Sequence, residues 1–210
     1  MRRRSRSSWI SSASSACGIA LLLGLCALPA RGQQIALAPQ ILYALTSIDT
    51  APTKQDLEVV LASPDNELSL LRQYALGSSF DFGMRLRAIR AIPHFCPQQP
   101  VECRGAILAV LDDIDSATSS PGQKILRRRA AIEALGAART GDPADRVRLA
   151  SFLDDASRDI RVAAVRALRD LCDPAAMQPL LDHARGWPHE VDQVKLAITE
   201  ALSVLSQCGP

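Results

Sequence analysis

The sequence predicts an all-α solenoid of about five stacked antiparallel helix pairs. Three observations carry that expectation: an eight-residue pattern recurs at near-constant intervals, each occurrence has helical spacing, and Ala and Leu are plentiful while aromatic residues make up only 4% of the chain. Strands draw on β-branched and aromatic side chains, so this composition favours helices over a sheet.

The recurring segments are RLRAIRAI (85–92), RRAAIEAL (128–135), RVAAVRAL (161–168) and KLAITEAL (195–202), which align without gaps at spacings of 43, 33 and 34 residues. That is the period of helical-hairpin repeats. Each opens on a basic residue: Arg85, Arg128, Arg161, Lys195. Each closes on alanine and then a large aliphatic: Ala91-Ile92, Ala134-Leu135, Ala167-Leu168, Ala201-Leu202. At 100° per residue the basic residue and the closing aliphatic fall on one face, the face buried between neighbours. The alanine column lies at its margin, where a larger side chain would hold the next helix away. The outward column reads Arg90, Glu133, Arg166, Glu200 and alternates in sign. With Arg169 and Trp187 it supplies the candidate partner-binding residues.

A first helix precedes each second one. Segments 64–77, 106–113, 147–155 and 175–184 are those helices, and Asp142-Pro143 and Asp173-Pro174 place an N-cap before a first-turn proline. Residues 33–48 and 53–63 read as an irregular capping pair, because a terminal repeat must face water on one side. The domain reading is therefore an export signal over 1–32, capping helices over 33–63 and repeats over 64–210.

The signal rests on Arg2, Arg3, Arg4 and Arg6, then the apolar run Cys17–Leu28, then small residues at Ala30 and Gly32. The run is shorter than the roughly 20 residues of a membrane-spanning helix. Leu25 before Cys26 speaks against a lipid anchor. Cleavage at this point puts the mature start near Gln33; N-terminal sequencing of the native protein checks it, and retention of the arginine-rich start contradicts it. Five of the 24 basic residues lie in 1–32 and none of the 22 acidic ones does, so the mature chain has 19 against 22, a net charge of −3. That removes the basis for nucleic-acid binding, and no stable membrane insertion is expected after cleavage. The expected location is the periplasm or the exterior.

The stretch LDDASRDIRVAAVRAL (153–168) resembles the HEAT repeat, including its bacterial HEAT-like form: Asp159, Ile160, Arg161, Ala164, Ala167 and Leu168 match the pattern. The resemblance spans 143–173 and extends to 81–95, 121–139 and 188–206. It implies a right-handed α-solenoid that supplies binding surfaces. It also implies that turn aspartates and second-helix arginines stack into ladders between successive turns. The residues assigned to that structural ladder are Arg85, Arg128, Arg161, Lys195, Asp113, Asp155 and Asp159. Ligand binding by the same column is the alternative. A charge on a buried face needs a carboxylate or carbonyls beside it in either case.

Four cysteines remain after cleavage, and in an oxidising compartment they allow three connectivities. Cys172 follows Leu168 by four residues and Cys208 follows Leu202 by six, which places them on adjacent repeats and predicts a Cys172–Cys208 bond. Cys96 and Cys103 then close a short local loop.

Catalytic constellations are few. His94 beside Cys96 offers a Cys–His nucleophile only if that cysteine is free. His183, His189 and Glu190 match no strong zinc spacing and read as a polar loop. Arg127 and Arg129 read as surface flanking Arg128, or as a site for an acidic partner. Trp187 reads as an anchor for a partner or as a cover over the end of a helix pair. No cofactor is implied. The leading expectation is an exported, non-enzymatic scaffold for a protein or peptide of the cell envelope. The alternatives are a HEAT-like enzyme similar to bilin lyases, or a repeat protein that binds a metal or small molecule.

Overall fold

The computed structural model describes Leu45, Thr53, Gln55 and residues 67–114 and 119–209. Apart from those three positions, the predicted export signal (1–32) and capping helices (33–63), and with them the first of the five expected pairs, lie outside the described residues.

Eight α-helices and no strand are present among the described residues. They form four consecutive pairs: α1 (Glu67–Leu76) with α2 (Phe82–Ala91), α3 (Pro100–Asp113) with α4 (Pro121–Ala138), α5 (Pro143–Ala150) with α6 (Arg158–Leu171), and α7 (Met177–Gly186) with α8 (Asp192–Leu205). The second helices stack in order, α2 on α4, α4 on α6 and α6 on α8. Short 3-10 turns follow α2 at Ile92–Phe95 and precede α7 at Pro174–Ala176.

Local chemistry sets the starts. Asp142 accepts from the Ala144 amide at 2.9 Å, and Asp173 accepts from Ala175 at 2.9 Å. Both caps precede a proline, as the sequence predicts, and each satisfies a donor that the first turn leaves without a partner. Ser120 and Gln123 form a reciprocal capping box before α4. The first helix of the third pair starts at Pro143, as the Asp142-Pro143 cap predicts, and stops short of the expected 155. Asp142-Pro143 nucleates it there, and it ends at Ala150 because the Phe152 and Leu153 amides bond only three residues back, at 3.1 and 3.0 Å.

The core follows the predicted columns. Ala91, Ala134, Ala167 and Ala201 are buried, as are Ile92, Leu135 and Leu168. Leu202 is only partly buried, since no repeat is described beyond it. The α4–α6 contact is close: a Cβ on Gly136 would meet the Ala167 carbonyl oxygen at 2.4 Å and its Cα at 2.5 Å. Backbone cannot give way as a side-chain tip can. Gly136→Ala should therefore cost about 1–3 kcal/mol by forcing the helices apart. Gly122→Ala, which meets nothing within 4 Å, should leave stability unchanged or raised. Urea unfolding of the two variants measures the contrast.

The first helices carry their own inter-repeat clamps. Arg104 of α3 donates from Nε to Asp145 of α5 at 2.7 Å and pairs with the cap residue Asp142 at 3.2 Å. Arg146 of α5 pairs with the next cap residue, Asp173. Each cap aspartate thus serves a helix start and an arginine of the preceding repeat.

Candidate functional site

The basic column forms rungs directed forward. In two rungs a second-helix arginine meets an acidic group from the turn of the following pair. Arg128 lies 3.6 Å from Asp155. Arg161 donates from Nε and Nη2 to the two oxygens of Glu190 at 2.7 and 2.8 Å, and from Nη1 to the Asp155 and Ala156 carbonyls at 2.8 and 3.2 Å. The expected carboxylate of Asp155 is thus not the partner of Arg161; its backbone oxygen is. The turn before α8 places Glu190 where the carboxylate is needed.

Asp113 accepts from Arg127 at 2.9 Å. Two further ladder assignments need correction. Asp159 is exposed and pairs with its neighbour Arg158 at 3.2 Å, because the first turn of α6 points it outward. Lys195 is exposed and makes no ion pair within the described residues, since none of them belongs to a following turn. Arg127 is not flanking surface: it is fully buried.

A polar cluster surrounds the Arg161 rung. His183 is buried between Asp154, at 3.3 Å from Nδ1, and Glu190, at 3.2 Å from Nε2. The Trp187 ring stacks on His183 with centroids 5.3 Å apart, and the Arg161 guanidinium lies 5.0 Å from its centre. Trp187 therefore covers the rung, although it remains 38% exposed. The bonds from Arg161 hold the Glu190 carboxyl at about 2, well below its ordinary value, against the opposing effect of burial. His189 stands apart from this cluster, exposed. Among the described residues no group of three or more His, Cys, Asp or Glu is placed to hold a metal ion.

Cysteine geometry agrees with the expected pairs. The Cα atoms of Cys96 and Cys103 are 5.2 Å apart and those of Cys172 and Cys208 are 5.5 Å apart, both at disulfide distance. Cys96 is thus paired with Cys103 and is no free nucleophile beside His94.

The remaining surface of interest runs across the second helices. One groove of about 300 Å³ is lined by Arg90, His94, Glu133, Ala137, Arg166 and Arg169. Another of about 360 Å³ is lined by Arg129, Asp159, Val162, Arg166, Leu196 and Glu200. Arg166 borders both. Most of its charged neighbours are occupied: Arg90 pairs with Glu133 at 3.8 Å, Arg129 with Glu133 at 2.8 Å, and Arg169 with Glu200 at 2.7 Å. Arg166 is exposed and makes no ion pair among the described residues. Leu196, 70% exposed, adds an apolar contact beside it. The sequence singled out five of these positions, Arg90, Glu133, Arg166, Arg169 and Glu200, and the structure brings them to one face. Trp187 belongs to the turns instead.

Stacked helix pairs with forward-directed rungs define a helical-repeat protein. The family model described as HEAT repeats matches residues 119–203, which run from the start of α4 into α8, and over that stretch the chain is similar to HEAT repeats. HEAT repeats generally mediate protein interactions. No curated protein matches the chain.

Proposed function

We propose that this chain is an exported, non-enzymatic scaffold. Its second-helix face binds a protein or peptide of the cell envelope through an acidic group seated at Arg166. The observation that carries this reading is the unpaired Arg166 between two grooves whose other arginines are largely occupied. An exposed arginine ready for a bidentate contact, next to the apolar Leu196, fits an acidic residue flanked by an aliphatic one. Grooves of this shape suit an extended segment better than a small substrate.

Export draws support from the N-terminal pattern and from two cysteine pairs at disulfide distance. No described helix is long and apolar enough to cross a membrane. The non-enzymatic reading draws support from the histidine cluster: His183 is held between two carboxylates and roofed by Trp187, an arrangement that stiffens a turn.

Arg166→Glu should weaken partner binding at least about tenfold while changing stability by no more than about 0.5 kcal/mol. Binding of the mature protein and the variant to the partner recovered from the cell envelope, each with a melting curve, reads both. Equal affinity for the two proteins would remove Arg166 from the site.

A further inference from the structure

The rung between the first and second described pairs is built unlike the others. At the position before the basic column, three repeats carry an apolar residue: Met84, Ile160 and Val194. The fourth carries Arg127, and it is fully buried. Its Nη2 donates to Asp113 at 2.9 Å and to the Ala75 carbonyl at 3.4 Å. Its Nε and Nη1 are buried with no acceptor. Arg85 of the neighbouring helix α2 is also buried, and its Nε likewise has no acceptor. The two guanidiniums act on each other: burial and then Arg127 push the Arg85 pKa down, with Asp113 pulling it back up.

Elsewhere in the ladder one guanidinium meets one carboxylate, as Arg161 meets Glu190. Here Asp113 bonds Arg127 and also attracts Arg85, which among the described residues has no bonded carboxylate of its own in the ladder. A buried cation short of a partner and three buried donors short of acceptors cost far more than the apolar residue that the other repeats use. A local violation of the repeat rule that leaves three buried donors without acceptors is the mark of a functional position.

We propose that Arg85 and Arg127 form an anion site at the α2–α4 junction, which takes a small oxoanion carrying about one negative charge. One negative charge balances the pair against Asp113, and the oxoanion oxygens accept from the orphaned Nε and Nη1 groups. Both arginines are buried, so the site takes a free ion rather than the side chain of a docked macromolecule. Asp113, whose side chain is 35% exposed, connects the site to solvent.

Thermal unfolding of the full mature chain tests this with two probes, acetate and inorganic phosphate at pH 6, each against sodium chloride at matched ionic strength. The site predicts a saturable rise in Tm with either probe and none with chloride. Arg127→Ile, which restores the residue type of its column, should abolish the rise and melt no lower than the wild type in chloride. Asp113→Asn removes the competing carboxylate, so its half-saturating probe concentration should fall by roughly tenfold. A wild type with no saturable rise overturns the proposal. So does an Arg127→Ile protein that keeps the rise or melts well below the wild type in chloride, which would make Arg127 structural. An Asp113→Asn protein with unchanged or weaker half-saturation also overturns it.

Discussion

Arg161→Ala should lower the stability of the protein by about 3–5 kcal/mol, the range for removing one member of a buried ion pair. The side chains of Arg161 and Glu190 are 8% and 2% exposed, so water cannot replace the lost guanidinium. The variant strands Glu190 beside His183, strips two carbonyls of their donor and leaves the Trp187 ring without its cation. Arg166→Ala, in the outward column, should stay within about 0.5 kcal/mol. Equal shifts in urea unfolding for the two variants would contradict the assigned register. The same rung sets an acid limit. The folded carboxyl of Glu190 titrates at about 2, below its ordinary value of 4.5. Its contribution to stability is therefore fully present above the ordinary value and is lost as the pH falls through the folded one. A Glu190→Gln variant should lose stability at neutral pH and show a flatter decline below pH ~4.5; a wild-type acid profile matching that of the variant would show the rung does not govern it.

Opening the Cys172–Cys208 bond should cost roughly 3–4 kcal/mol, because it closes a loop with a sequence separation of 36. Cys172 caps α6 in the left-handed region, at φ 55°, a conformation that favours glycine. The cross-link anchors that cap to the residues after α8, a helix with no described neighbour on its far side. Cys208→Ser should therefore destabilise the protein far more than opening Cys96–Cys103, whose separation is 7. Reduction of the wild type should reproduce the combined effect, and peptide mapping without reductant checks the pairing. A Cys96–Cys172 peptide, or free thiols at Cys172 and Cys208 in oxidised mature protein, would break the stacking order.

The helix pairs from Glu67 onward were legible because periodicity and caps agree. The columns that buried Ala134 and Leu168 also carried the register that brought Cys172 to Cys208. The closing partner of each rung was less legible. A gapless shift of Asp155 by one repeat lands on His189, and the turn before α8 moves the carboxylate one residue on, to Glu190. That offset hid the strongest rung inside what read as a polar loop. Arg127 was hidden by its arginine neighbours, which made the run look solvated. The signal lay in comparing it with Met84, Ile160 and Val194 rather than with Arg128 and Arg129. Asp145 gave no such signal: its burial depends on Arg104, 41 residues away. The candidate face was legible as a column, but which of its arginines stays unpaired depends on geometry that no spacing reveals.

The claim that the second-helix face receives the partner is tested most directly by site-specific photo-cross-linking of the full chain in its own cells. A photoreactive residue at Leu196, in the groove beside Arg166, should give a partner adduct that Arg166→Glu removes. The same residue at Val147, exposed on the first helix α5, should give none. An adduct from Val147 that persists in the Arg166→Glu background, with none from Leu196, would place the partner on the opposite face.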